Sequence, residues 1–459
     1  MQSLTLVLVL IVLTAMGFRL GRGRAVVASG GKAGVLHSLP SYYGGYVALW
    51  CALPALILVG AWLAFEPALL KALVIARLPS EAQALPAAQL SLILNEAHNL
   101  VTGEMKTAST PVTAAAADIY GSLRHSSFVL MAGVAITVLA VGLIHSLRQI
   151  VPDLRARTKV ENVIKVLLLS SSTLAVFTTI GIVLSLLFES LRFFQQVPVM
   201  SFLFGLEWSP QMAMRADQVG SSGAFGAVPL FAGTLLISVI AMLVAVPFGL
   251  LSAIYMAEYA PPKLRAVAKP LLEVLAGIPT VVYGFFAVIT LAPLLRDYGV
   301  TVGLNIASES ALTAGLVMGV MIIPFISSLA DDVITAVPDS LRQGAIGLGA
   351  TRSETILQVV LPAALPGIVG GVLLAISRAI GETMIVVMAA GLSAHLTANP
   401  FESVTTVTVQ IVTLLVGDQE FNSPKTLSAF ALGLVLFLVT LALNAVALHV
   451  VRKYREQYD

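Results

Sequence analysis

The chain is 459 residues long, 58% hydrophobic and only 11% charged, with a mean hydropathy of +0.95. No water-soluble domain of that length hides so much apolar surface, and a net charge of +2 makes no case for nucleic acid as a partner. The single cysteine, Cys51, excludes an internal disulfide and reads as a small packed hydrophobe, and the six histidines lack metal-ligand spacing.

The first apolar run, 3–18, is short for a span. Its positive charges (Arg19, Arg22, Arg24) follow it, whereas a secretory signal carries them ahead of its apolar core. It reads as a retained first helix with its N-terminus outside. Further uncharged runs lie at 46–65, 126–147, 166–188, 227–257, 274–295, 310–330 and 426–451, and a run at 363–401 is broken only by Arg378 and Glu382. These lengths predict an all-α integral membrane protein of about nine transmembrane helices with lipid around it. Nine spans from an external N-terminus bring the C-terminus inside. Of the 26 Lys and Arg, 17 then fall in internal segments, eight in external ones, and Arg378 within the membrane.

Two parts are visible. Residues 1–160 hold three spans and a long external segment, about 67–125, read as either a small helical domain or a partly disordered stretch. Residues 161–459 hold six spans. Prolines in these spans (Pro229, Pro247, Pro279, Pro293, Pro324) predict kinks, serving packing or gating alike.

The polar insert 339–362, DSLRQGAIGLGATRSETILQVVLP, reads as two short helices with a break between them. Asp339 or Ser340 is placed to cap the first, and Gly349 stands where a helix-ending glycine belongs. Thr351 and Glu354 have the capping-box spacing, so a second helix starts there. Pro362 is expected to mark its exit. Ile346, Leu348, Ile356 and Leu357 cannot all be buried within so short a segment, so the insert needs a partner.

Arg378 and Glu382 are expected roughly 20 Å into the membrane, counted from a helix entering near Pro366. Charges at that depth face a bundle interior or a water-filled path. Their i, i+4 spacing puts them on one helical face, where they can pair. Either Arg378 is a fixed cation that meets a translocating anion, with Glu382 holding it, or the two form a buried ion pair that fixes packing. Arginine suits an anion path because it stays charged and offers a planar donor fork. Thr280 and Tyr283 offer hydroxyls to a polar path, or belong to a kinked, packed helix whose Glu273 sits near its N-terminal dipole. Asp331 and Asp332 end a span and read as solvated. Gly31-Lys32-Ala33 lacks the features of a phosphate-binding loop, so the chain is expected not to hydrolyse ATP, and no other catalytic pattern is present.

The insert resembles the EAA loop of bacterial ABC-importer permeases. Ala345, Gly349, Leu361 and Pro362 match that pattern at its offsets, while Gln343 replaces Glu, Gly344 replaces Ala and Val359 replaces Ile. The segments FGAVPLFAGTLLIS, YMAEYAPPKLRAVAKPLLEVLAGIPTVVYGFFA, ISRAIGETMIVVMAAG and TVTVQIVTLLVGDQEFNSPKTLSAFALG are similar to the phosphate-specific permease of PstC type, over about 225–459. The resemblance implies a type I importer permease core in the last six spans and residence in the bacterial inner membrane. It also implies a coupling loop at 339–362 that docks on an ATPase, and Arg378 and Glu382 as transport residues. The partners it implies are a second permease of PstA type, a PstB-type ATPase dimer that uses ATP and Mg, and a periplasmic phosphate-binding protein of PstS type. The chain itself is expected to bind no cofactor. The three extra N-terminal spans depart from the short six-span form. Import of another oxyanion (molybdate or sulfate) and, from other classes, a secondary anion transporter or a sensory or scaffolding protein are the competing readings.

Overall fold

The computed structural model describes the chain apart from residues 1, 32, 84, 104–106, 108, 213–221, 418–421 and 455–459. Lys32, residues 418–421 of the C-terminal motif and the basic residue at 455 therefore lie outside the described residues. Among those described, nine helices are long and apolar enough to cross a membrane. The chain divides into two compact units, Met1–Val176 and Phe177–Asp459.

The first unit is built on three long helices, α1 (Gln2–Ala28), α2 (Pro40–Arg77) and α5 (Pro111–Arg148). The helix α1 runs through Arg19, Arg22 and Arg24 and is longer than its apolar run. Tyr43, Val47, Cys51, Met131 and Leu139 fill the core among these helices. The segment expected to be external is helical: α2 and α5 extend past the apolar runs, with α3 (Ser80–Gln83) and α4 (Ala87–Thr102) between them. Leu70, Val74, Leu94, Ala97, Ala116 and Tyr120 give it a small core. A reciprocal Thr110–Thr113 cap starts α5. Next comes α6 (Ala156–Phe194), which contains the boundary between the two units.

In the second unit, α7 (Val199–Phe204) and a hairpin of β1 (Trp208–Met212) and β2 (Ser222–Phe225) precede α8 (Val228–Ile254). The strands pair antiparallel, Trp208 opposite Phe225. A π-helical turn, Tyr255–Tyr259, ends α8. Then follow α9 (Pro262–Ala276), α10 (Thr280–Phe286), α11 (Ala292–Val302) and α12 (Ala311–Thr335). The helices α8 and α12 pack along their length, because Gly315 lies against Ile240 and Gly319 against the Ala241 carbonyl, and small residues let backbones approach. The remaining helices are α13 (Asp339–Gly347), α14 (Arg352–Thr355), α15 (Leu361–Ile380), α16 (Met384–Ala389), α17 (Val407–Gly417) and α18 (Pro424–Tyr454).

The apolar run 274–295 is not one span. Residues 277–279 break it, and α9 ahead of the break is an amphipathic helix with no buried residue. Glu273 therefore sits near the C-terminal end of α9, exposed, and not at the N-terminal end of a span. The run 363–401 is not one span either. Its helix stops at Ile380, and residues 389–402 fold back over the start of α12. There Ala389 and Glu402 carbonyls accept from the Ser310 and Ala311 amides, both at 3.0 Å. Helix α12 thus has amides at its N-terminus satisfied by a neighbouring segment as well as by the Ser310 side chain.

Asp331 is not solvated. Its carboxylate is 1% exposed and accepts from Arg265 Nη2 at 2.9 and 3.0 Å and from Lys269 Nζ at 2.8 Å. The helix α9 is pinned by this brace to the end of α12. The Asp331 carboxylate first, with Asp332 second, holds the Lys269 ammonium above the usual lysine range. A raised cationic pKa stabilises the fold fully below the ordinary lysine value and loses that contribution only as pH rises through the raised one, so Lys269 keeps its charge at neutral pH. The double variant Arg265→Ala/Lys269→Ala strands a buried carboxylate and is expected to cost about 3–5 kcal/mol. It should read as a lowered unfolding temperature in detergent. Adding Asp331→Asn removes the stranded charge and should restore most of the loss.

Candidate functional site

The insert 339–362 has the two-helix form, with two differences in detail. The first helix is capped at Pro338, with no side-chain cap from Asp339 or Ser340; Asp339 instead accepts from Arg342 Nη1 at 3.1 Å. Thr351 and Glu354 form the expected reciprocal cap, Thr351 N donating to Glu354 Oε2 at 2.8 Å. Gly349 has φ +92°, a left-handed conformation that glycine adopts without strain. Pro362 is not an exit. It lies in the first turn of α15, directly after a π-helical turn, Ile356–Val360, that continues α14. The wider turn relieves the clash a proline ring makes with the preceding carbonyl, so one helical path runs from Arg352 to Ile380. Ile356 is buried, but Ile346, Leu348 and Leu357 are 55%, 92% and 63% exposed. These three side chains form an open apolar tip on a polar insert. Gln343 and Gly344 are exposed beside it, Ala345, Val359 and Leu361 are half-buried, and Pro362 is exposed.

The insert is anchored where sequence reasoning named no residue. Arg342 donates from Nε and Nη2 to Glu258 Oε1 at 3.1 and 3.0 Å, from Nη2 to the Ile334 carbonyl at 2.8 Å, and from Nη1 to the Val337 carbonyl. Arg352 lies 5.1 Å over the Tyr259 ring. Both anchors enter the π-helical turn that ends α8.

A Gly349→Ala change meets no atom within 4 Å of the added Cβ, so its whole cost is the backbone conformation, about 1–2 kcal/mol. It is expected to lower the amount of ATPase that copurifies, and Gly349→Asn, which tolerates the left-handed region, to lower it less. Equal recovery with Ala, Asn and Gly would show that the turn does not shape the surface.

Arg378 and Glu382 do not pair. Helix α15 ends at Ile380 with Gly381 as its cap, so the i, i+4 geometry is not continued. Glu382 Oε1 accepts from the Met384 and Ile385 amides at 3.1 and 3.4 Å and caps α16. Arg378 makes no ion pair among the described residues, and its guanidinium lies 5.5 Å over the Phe325 ring. Phe325 sits ten residues from the end of the spanning helix α12, about 15 Å along its axis, near mid-length. Arg378 is nonetheless exposed on the surface of this chain. Thr280 opens α10, which packs against α16. The Tyr283 hydroxyl donates to the Leu275 carbonyl at 3.0 Å across the 277–279 break, so it closes the kink.

Residues 245–456 match the family described as binding-protein-dependent transport system inner membrane component, and residues 7–178 match one described as phosphate ATP-binding cassette transporter. On an all-α bundle with a helical insert between two spans, these matches define a permease component of an ABC importer, a multi-pass inner-membrane protein whose last six spans form the permease core. The chain is 32% identical over 244 residues to the probable ABC transporter permease protein YqgH of Bacillus subtilis (strain 168), covering 53% of this chain and 75% of that one. It is 32% identical to the phosphate transport system permease protein PstC of Xylella fastidiosa (strain Temecula1), covering 62% and 88%. It belongs to the family of phosphate transport system permeases of PstC type. Among solved structures, a bacterial ABC transporter involved in the import of the acidic polysaccharide alginate aligns with TM-score 0.43 and 16% identity, over 64% of this chain and 99% of that one.

Proposed function

We propose that this chain forms one half of the pore of an ATP-driven importer of inorganic phosphate, and that Arg378 is the cation the anion meets in the membrane. One observation carries the reading. A guanidinium level with the middle of the spanning helix α12 is exposed on the chain's own surface, and a charge at that depth cannot face lipid. It must face a partner subunit or an aqueous path. The family membership and the match of residues 7–178 favour phosphate over sulfate or molybdate.

In this reading the insert 339–362 and the C-terminus are cytoplasmic. Exposed Ile346 and Leu348 seat on a PstB-type ATPase subunit, which carries out ATP hydrolysis with Mg. The second half of the pore is a PstA-type permease, and a PstS-type binding protein delivers phosphate from the periplasm. Glu382 acts indirectly, by fixing the turn after Arg378. Thr280 supplies a hydroxyl to the same path, and Tyr283 holds the kink that places it.

The test is phosphate uptake into proteoliposomes holding this chain with its candidate partner permease, ATPase and binding protein, with and without ATP. ATP-dependent uptake that excess sulfate and molybdate leave unchanged is the expected result. Suppression by either anion would move the substrate to that oxyanion, and uptake without the ATPase would favour a secondary transporter.

A further inference from the structure

The turn after Arg378 is held by something the transport reading does not use. Thr408 donates from Oγ1 to the Glu382 carbonyl at 2.8 Å and lies 3.0 Å from the Thr406 hydroxyl. Thr406 Oγ1 accepts from the Val409 amide at 3.4 Å. The Thr234 hydroxyl on α8 accepts from the Val407 amide at 3.2 Å, and Gly233 beside it leaves room for the Thr405 carbonyl, which a Cβ there would strike. From the other side of the same turn, Gln410 donates to Thr405 Oγ1 at 3.4 Å and accepts from Trp208 Nε1 at 3.0 Å. Thr234, Thr405, Thr406, Thr408, Gln410 and Trp208 are all buried. Buried polar side chains that are this fully paired hold one geometry, because breaking any bond strands a group away from water. Trp208 stands in β1, opposite Phe225 of β2. The first turn of α17 is therefore one rigid piece, with the β1–β2 hairpin fastened to one side and the backbone of the Glu382 turn to the other.

We infer that Thr408 and Gln410 are positioning residues that make the β1–β2 hairpin and the Glu382 turn move together. The hairpin lies on the periplasmic side in the orientation proposed above, where the phosphate-loaded binding protein arrives. Movement of the hairpin on docking is carried by Trp208 and Gln410 into α17, and by Thr408 into the turn that follows Arg378. This inference rests on the reading of Arg378 as a transport residue. It adds the element that links the outer face to it.

The experiment uses the assembled complex in proteoliposomes. Thr408→Val keeps the side-chain shape and removes the donor. Uptake should fall about tenfold in maximal rate, the equivalent of one buried hydrogen bond, with the half-saturating concentration of binding protein unchanged. Thr408→Ser restores the donor and should restore the rate. The second readout is Trp208 emission in a chain carrying W50F and W62F, which leaves it the one tryptophan. Emission should shift when phosphate-loaded binding protein is added, and the shift should persist in Thr408→Val, since only the inner link is cut. In Gln410→Leu the resting emission should differ and uptake should fall as in Thr408→Val. Full uptake in Thr408→Val, or equal loss in Val and Ser, overturns the inference. Arg378→Gln is measured alongside: if it transports normally, the reading of the path has failed, whereas loss in Arg378→Gln with full uptake in Thr408→Val sinks the positioning role alone.

Discussion

Arg378→Gln is expected to abolish ATP-dependent phosphate uptake while membrane insertion and assembly with the partner subunits persist. A guanidinium and an oxyanion about 4 Å apart attract by about 4 kcal/mol at the effective dielectric of a partly wet protein site. Losing that from the translocation step lowers the rate by about a thousandfold, which in an uptake assay is indistinguishable from zero. The fold should tolerate the change, because Arg378 makes no ion pair among the described residues and its one ring contact, over Phe325, is worth about 0.5–1 kcal/mol at an exposed position. Arg378→Lys keeps the charge but loses the planar fork, and should fall between the two. Glu382→Gln should be milder than Arg378→Gln, since an amide oxygen still accepts from the Met384 and Ile385 amides. Normal uptake by Arg378→Gln would remove the residue from the path.

The parts legible in the sequence were those written in consecutive residues. Apolar length gives the spans, because in lipid every backbone group must be satisfied within its own helix. The Thr351–Glu354 cap and the turn at Gly349 are local, and each has the predicted geometry. Hydropathy is blind to where a backbone ladder stops inside an apolar run, so the ends of helices at 276 and 380 were missed. Gly381 was the available signal for the second of these. Missing that stop made Arg378 and Glu382 look like a helical pair, when Glu382 is drawn instead to two free amides. Pairings at long range were illegible for a different reason. Asp331 lies 66 residues from Arg265, and Glu258 lies 84 from Arg342. A charge at a span end reads as solvated until the fold supplies its partner. Thr405, Thr406, Thr408 and Gln410 look like a polar interruption of an apolar stretch, and only their burial and hydrogen bonds in the fold show that these side chains hold a turn.

Arg342→Ala is expected to uncouple ATP hydrolysis from uptake. The side chain is 17% exposed and Glu258 10%, so the pair is largely withdrawn from water. Arg342 also donates to the Ile334 and Val337 carbonyls, so one guanidinium fastens α13 both to the end of α12 and to the π-helical turn that ends α8. Every other anchor noted for the insert is weaker: the Arg352–Tyr259 contact is a single ring stacking at 5.1 Å. Removing Arg342 strands the Glu258 carboxylate, at about 3–5 kcal/mol, and frees α13 to swing without pulling α8 and α12. The exposed apolar tip at Ile346 and Leu348 is untouched, so the ATPase should still copurify and still hydrolyse ATP. Phosphate carried per ATP should fall at least tenfold. Glu258→Gln keeps an acceptor for the arginine and should lose less, and Arg342→Lys, whose compact ammonium lacks the planar fork that spans the four acceptors, should lie between. Full coupling in Arg342→Ala would mean that the insert transmits force through α14 and its continuous path into α15 alone, and that the bond to Glu258 serves only the fold.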